Sequence, residues 1–156
     1  MTGFIKKIQM AARTTTTYRV GLLQAKTYRA LKQYTTAALA HLDITTVEWA
    51  FLGLLYDAPK GMRASEAAAE LGVEAPFITV LHKKLGKKKL VEAKQDENDT
   101  RAKVLFLSKE GRAFVAETEI YLRDKMRPLV SGSSMRDILA YISVLQTINK
   151  NSSKKS

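Results

Sequence analysis

Two stretches of this sequence have residue types and spacing suited to chemistry on a polyanion. The first is the lysine run Lys83, Lys84, Lys87, Lys88 and Lys89, with no intervening acid. The second is the polar segment Asp96-Glu97-Asn98-Asp99-Thr100, followed by Arg101. Lysine and arginine neutralise phosphates and release the counterions condensed on them, so both stretches could carry nucleic-acid affinity. The lysine run equally suits a solvated helix C-terminus, where cations complement the helix dipole. Asp96-x-Asn98-x-Thr100 has the opening of a calcium loop, but position 101 is arginine rather than glycine and position 107 is leucine rather than a carboxylate.

Other chemistries lack their residues. There is no cysteine, which removes disulfides, thiolate nucleophiles, thiol redox sensing and cysteine-based zinc sites. His41 and His82 are the only histidines, and neither has a metal-ligand partner at helical spacing. Each reads as a helix-surface or core-flank residue. No glycine-rich phosphate loop, nucleophile elbow or paired-carboxylate arrangement stands out, so the expectation is a protein that is not an enzyme and carries no cofactor or metal.

Charge and composition narrow the class further. The chain has 156 residues, a net charge of +11 and 46 % apolar residues, which fits one folded unit with a polyanionic partner. The charge is uneven: residues 1–44 hold 7 basic and 1 acidic residues, 45–107 hold 10 and 9, and 108–156 hold 9 and 5. The middle segment is nearly neutral, with its positive charge concentrated in the lysine run. Met1 to Arg13 has charge interrupting its apolar residues and does not read as a secretory signal. No apolar run approaches the ~20 residues that span a bilayer. The expectation is a soluble, cytoplasmic, nucleoid-associated protein without a membrane partner.

Regular elements must hold these residues in place, and periodicity predicts a long helix from Thr17 to Leu42, with Leu23, Leu31, Tyr34, Ala38 and Leu42 on one face. Thr45 and Glu48 form a T-x-x-E capping box ahead of Val47, Ala50, Phe51, Leu54 and Leu55, and Pro59-Lys60-Gly61 ends that run. Ser65 is the expected N-cap of a short helix from Glu66 to Leu71 that Gly72 terminates. A helix from Ala75 to Lys87 follows, with Pro76 in its first turn. Two short helices joined by Gly72-Val73-Glu74 make a helix-turn-helix candidate. Leu90 to Lys94 and Lys103 to Leu107 flank the polar turn as a hairpin. Ser108 can cap a helix that Pro128 should break, and Ser134 with Asp137 can cap a last helix bearing Met135, Ile138, Leu139, Ile142, Leu145 and Ile148.

On the helix from Ala75 to Lys87, Ile78, Leu81 and Leu85 fall on one side, suited to the core. Pro76, Thr79, Val80, Lys83 and Lys87 lie roughly opposite, with Lys84 at the edge. Thr79 and Lys83 can address base edges, whereas Pro76 and Val80 offer apolar contact with thymine methyl groups.

Ser65 to Phe114 resembles the winged-helix core of the multiple antibiotic resistance regulator (MarR) family. The matching residues are Ser65-Glu66 with Leu71-Gly72-Val73, then Leu85 and Leu90-Val91, then Asp96-x-x-Asp99-x-Arg101 in the wing, then Leu107-Ser108-Lys109-Glu110-Gly111-Arg112. The resemblance implies a mainly α fold with a small β-hairpin wing, a winged helix-turn-helix with long flanking dimerisation helices. It divides the chain into an N-terminal extension and first dimerisation helix (1–44), a DNA-binding module (45–107), C-terminal dimerisation helices (108–150) and a flexible basic tail (151–156). It further implies a homodimer that binds double-stranded DNA as a transcriptional regulator, recognition helix in the major groove and wing in the minor groove. The DNA-binding set is then Ser65, Pro76, Thr79, Val80, Lys83, Lys84, Lys87, Asp99, Arg101 and Lys103. In this set Arg101 enters the minor groove and Asp99 braces the wing.

Leu23, Leu31, Met135, Ile138, Leu139, Ile142, Leu145 and Ile148 become the dimerisation set. The central module is too small to cover their apolar faces; an intramolecular bundle is the alternative. A small aromatic ligand between the dimerisation helices and the reading module would meet Tyr18, Tyr28, Tyr34 and Trp49, which could equally be core. The sequence departs from the family pattern at Pro76 and Val80, where polar or basic residues are usual, at Ala93, where a wing-strand arginine is common, and at Lys89, at a place usually given to glycine. Two further readings therefore stand beside the regulator: an architectural DNA-binding protein of weak sequence specificity, and a winged-helix protein-interaction module.

Overall fold

The computed structural model describes residues 16–96, 99 and 102–152. The chain divides into two compact units, residues 1–122 and 123–156. The fold is mainly helical with one small antiparallel sheet, as the resemblance implies.

In the first unit, helix α1 (Thr17–Leu39) tightens into a 3-10 turn, Ala40–Leu42. The helix stops because Asp43 adopts a left-handed backbone, φ 51° and ψ 43°, which a short polar side chain tolerates better than most. Helix α2 (Thr46–Asp57) begins at once, with both halves of the expected capping box: Glu48 N–H donates to Thr45 Oγ1 at 3.3 Å, and Thr45 N–H donates to Glu48 Oε2 at 2.8 Å. The chain turns through 82° between the two helical stretches.

Strand β1 (Met62–Arg63) runs directly into helix α3 (Ala64–Leu71). This corrects the expected cap: Arg63 occupies the N-cap position and Ser65 is the second helical residue. Arg63 N–H donates to Glu66 Oε2 at 2.8 Å, so the first turn is held by the reach-back of Glu66 rather than by a serine hydroxyl. Gly72, at φ 64°, closes α3 by donating to the carbonyls of Ala68 and Ala69.

Helix α4 (Ala75–Lys87) has Pro76 in its first turn, as expected. It ends in a Schellman arrangement: Leu90 N–H donates to the Leu85 carbonyl and Lys89 N–H to the Gly86 carbonyl. Lys89 sits in the left-handed position, φ 60°, the conformation that glycine takes without steric cost.

Strands β2 (Val91–Gln95) and β3 (Lys103–Leu107) form the expected hairpin, one residue later at its start than the sequence suggested. The sheet has a third strand that periodicity did not disclose. β1 pairs with the other edge of β3, Met62 opposite Leu105 and Arg63 opposite Val104, giving the order β1-β3-β2. Helix α5 (Lys109–Met126) starts at Ser108, whose Oγ accepts from Gly111 N–H at 2.8 Å and donates to the Lys89 carbonyl at 2.6 Å. A Cβ on Gly111 would lie 2.0 Å from the Leu90 carbonyl oxygen, so only glycine admits this approach.

The core gathers Phe51, Leu52 and Leu55 of α2, Ala67 and Ala68 of α3, Ile78, Leu81 and Leu85 of α4, Leu105 and Leu107 of β3, and Val115 of α5. Phe51, Leu52, Leu55, Ile78 and Leu85 are fully buried, and each contributes about 1.5–3 kcal/mol of burial free energy. A smaller cluster holds Ala38, Leu39 and Leu122, with Leu42 and Trp49 packed against both clusters.

The second unit contains the end of α5, a 3-10 turn at Arg127–Val130 around Pro128, and helix α6 (Met135–Ser152). Ser134 and Asp137 cap α6 reciprocally, with Asp137 N–H donating to Ser134 Oγ at 3.2 Å and Ser134 N–H to Asp137 Oδ2 at 3.0 Å. Asn151 and Ser152, expected in the tail, are helical. No residue of α6 is buried. Among the described residues no single helix is long and apolar enough to cross a membrane.

Candidate nucleic-acid interface

Helix α4 presents the face expected of it. Ile78, Leu81 and Leu85 are locked into the core, while Pro76, Thr79, Val80, Lys83 and Lys87 are exposed along the opposite side. Val80, 60 % exposed, and Phe77, 40 % exposed, give this face more apolar surface than a solvated helix needs. Sequence reasoning missed Phe77 because its position falls between the two stripes.

The lysine run separates into two groups. Lys83, Lys84, Lys87 and Lys89 are exposed and Lys88 is half-buried, but two of the five are engaged by acids. Lys84 Nζ pairs with Glu48 Oε1 at 2.8 Å, and Lys88 Nζ pairs with Asp43 Oδ2 at 2.7 Å and also donates to the Asp43 main-chain carbonyl. Burial pushes the Glu48 carboxyl up, but hydrogen bonds from Lys84 and from the Thr45 amide and hydroxyl outweigh it and hold Glu48 below the ordinary glutamate range. Lys84 is correspondingly raised, chiefly by the same hydrogen bond. The Lys88 hydrogen bond and charge lower Asp43. His82, half-buried on the flank of α4, is lowered by burial and then by the charges of Lys103 and Lys83, so it is neutral at neutral pH and adds no cation to the face. His41, exposed in the middle of the 3-10 turn, meets the Tyr121 ring edge-on at 5.0 Å.

The wing is anchored at its base. Asp96, 9 % exposed, accepts from Arg63 Nε at 2.7 Å through Oδ2 and from Asp99 N–H at 3.3 Å through Oδ1. The Asp96 hydrogen bond and charge raise Arg63. Asp96 N–H donates to the Ala102 carbonyl at 3.0 Å and Ala102 N–H to the Asp99 carbonyl at 2.9 Å, which closes the turn. Asp99 and Lys103 are exposed on this element. Arg101 lies outside the described residues. Ser65 is exposed in the first turn of α3. Neither the Arg63–Asp96 pair nor the Lys84–Glu48 pair could be foreseen, because their partners are more than thirty residues apart.

The aromatic set divides. Tyr28 lines a hollow of about 420 Å³ with Leu31, Thr46, Val47, Ala50 and Leu71, between α1 and the reading module. Tyr18 and Tyr34 are exposed elsewhere on α1, and Trp49 packs against the two core clusters. Of the dimerisation set, Leu23 is 66 % and Met135 70 % exposed; Leu139, Ile142 and Ile148 are exposed, and Leu31, Ile138 and Leu145 half-buried.

Residues 42–102 match the sequence profile of the MarR family. Among solved structures, the chain is similar to MepR of Staphylococcus aureus in a DNA-binding conformation, with 25 % identity over 85 % of this chain and 97 % of that one, at a TM-score of 0.73. It is similar to the MepR–DNA complex with 25 % identity over 84 % and 96 %, at 0.70. A MarR-family transcriptional regulator from a Rhodococcus species shares the fold at 19 % identity over 83 % and 91 %, with a TM-score of 0.76.

Proposed function

We propose that the chain, whose residues 42–102 match the MarR family profile, is a winged-helix regulator of that kind and acts as a homodimeric transcriptional regulator that holds double-stranded DNA, α4 in the major groove and the β2–β3 wing over the minor groove. The observation that carries this reading is the two-faced α4: one side immobilised in the core, the other exposing Pro76, Thr79, Val80, Lys83 and Lys87 in one line. A helix fixed from behind and open in front is what groove reading requires. Thr79 and Lys83 address base edges, Val80 and Pro76 meet thymine methyl groups, and Lys87 meets phosphate. Ser65 approaches the backbone beside α3, and Lys103 and Arg101 serve the wing, with Asp99 bracing it. MepR, at 25 % identity, has been solved with DNA, which supports the same partner here.

Leu23 of α1 and Met135, Leu139, Ile142 and Ile148 of α6 are exposed in a single chain, and a second copy is the partner that covers them. The hollow beside Tyr28 is where a small aromatic effector would sit. A second reading, an architectural DNA-binding protein of weak specificity, is favoured by one observation, the apolar surface of Phe77 and Val80 on the reading face.

Selection of bound sites from random duplex at two salt concentrations separates the two readings. The regulator reading expects enrichment of a defined sequence that persists at the higher salt. Binding that falls steeply with salt and enriches no sequence supports the architectural reading and overturns the regulator. Sedimentation of the free protein is expected to give a dimer.

A further inference from the structure

The bend between α1 and α2 carries two acids, and α4 sends a lysine to each. Asp43 occupies the left-handed residue of the bend, and Glu48, 2 % exposed, is tied to Thr45 at the start of α2. Lys84 and Lys88 are four residues apart, one helical turn, and so share a face of α4. Lys84 reaches Glu48 at 2.8 Å and Lys88 reaches Asp43 at 2.7 Å. The bond from Lys88 to the Asp43 main-chain carbonyl fixes the backbone of the bend as well as its side chain.

We infer that Lys84 and Lys88 are positioning residues that clasp the recognition helix to the 82° bend at Asp43–Glu48, so that the direction of α1 sets the orientation of α4. The inference rests on the DNA-reading role proposed above for α4. The lysine run thereby separates by role, with Lys83, Lys87 and Lys89 facing outward while Lys84 and Lys88 are engaged by acids of the same chain. A shift in α1 would then reach the reading face through two charged contacts at the bend.

Electrostatics alone and the clasp predict opposite signs for one substitution. Asp43→Asn removes a negative charge near a DNA-facing helix, and through charge alone it strengthens phosphate binding. Through the clasp it weakens recognition. Asparagine tolerates the left-handed backbone at φ 51°, and Asp43→Gly removes the side chain entirely at a conformation glycine adopts freely. The parent, D43N, D43G, K88Q and D43N/K88Q are compared on the duplex selected by the parent and on random duplex. The clasp expects D43N and D43G to bind the selected duplex about fivefold more weakly, an effect of about 1 kcal/mol, with no loss on random duplex. K88Q costs less in the D43N background than in the parent, because the side-chain pair is already broken there and only the bond from Lys88 to the Asp43 main-chain carbonyl is left to lose. Tighter binding by D43N, or additive losses in the double variant, overturns the inference. A DNA-free arm decides it independently: amide exchange in residues 43–49 and 81–88 is expected to quicken in D43N while β3 is unchanged, and unaltered exchange overturns the clasp. A parent that selects no duplex refutes the regulator reading and leaves that exchange result to judge the clasp alone.

Discussion

Lys89 takes the left-handed position of the Schellman turn that ends α4, at φ 60°, and its own carbonyl is the acceptor for Ser108 Oγ at 2.6 Å. Both constraints are on the backbone, so Lys89→Gly preserves them and removes only the clash of Cβ with the following carbonyl. That clash costs about 1–2 kcal/mol for a residue with a side chain, and glycine returns about 0.5–1 kcal/mol of the gain through its greater freedom in the unfolded chain. The net is a stabilisation of about 0.5–1 kcal/mol. For a chain of this size each kcal/mol moves the melting temperature by about 2–4 °C, so the expected rise is about 1–4 °C. Thermal unfolding followed by circular dichroism at fixed protein concentration measures it, with Lys87→Gly as the control; that residue is helical, and the same change there should cost about 1 kcal/mol. A K89G protein that melts at or below the parent temperature would refute the assignment of strain to this residue.

Gly111→Ala should be strongly damaging. Its Cβ would fall 2.0 Å from a main-chain oxygen that also accepts from Ser108 N–H, and a loss of more than about 2 kcal/mol is expected in urea unfolding. Glu48 is held below its ordinary value of 4.5 in the folded chain, so its ionised form contributes stability that is present above that value and lost as the pH falls through the lower folded value. Glu48→Gln should therefore lower stability at pH 7 and flatten its decline below about pH 4.5, read from melting temperatures between pH 3 and 7. Lys83→Ala should cost the preference for the selected over the random duplex while leaving the slope of log affinity against log salt unchanged in a salt titration, as a base-edge contact requires. Uniform weakening on selected and random duplexes, with the slope reduced by about 0.9, would place Lys83 at phosphate instead.

Features set by neighbours along the chain were legible before the fold was known. The Thr45–Glu48 box, the Gly72 cap, Pro76 in the first turn of α4 and the Ser134–Asp137 cap all depend on residues within a turn of one another. The buried stripe Ile78, Leu81 and Leu85 followed from the helical period. Strand β1 was not legible, because two residues carry no periodicity and exist as a strand only through pairing with Val104 and Leu105. Its presence also explains the shifted start of α3: Arg63, drawn into the sheet and paired with Asp96, takes the cap position from Ser65. The same limit hid the partners of Lys84 and Lys88. A lysine run looks uniform in sequence, and only the approach of the bend distinguishes the lysines it engages from those left facing outward.

Trp49 is the single tryptophan of the chain, and it packs against both the main core and the cluster at the end of α1. Indole emission responds to the polarity of its surroundings, so the molecule carries its own optical gauge at the bend. Excited selectively over the six tyrosines, it can follow in real time, without a label, whether an added duplex or small aromatic compound alters the packing where α1 meets α2.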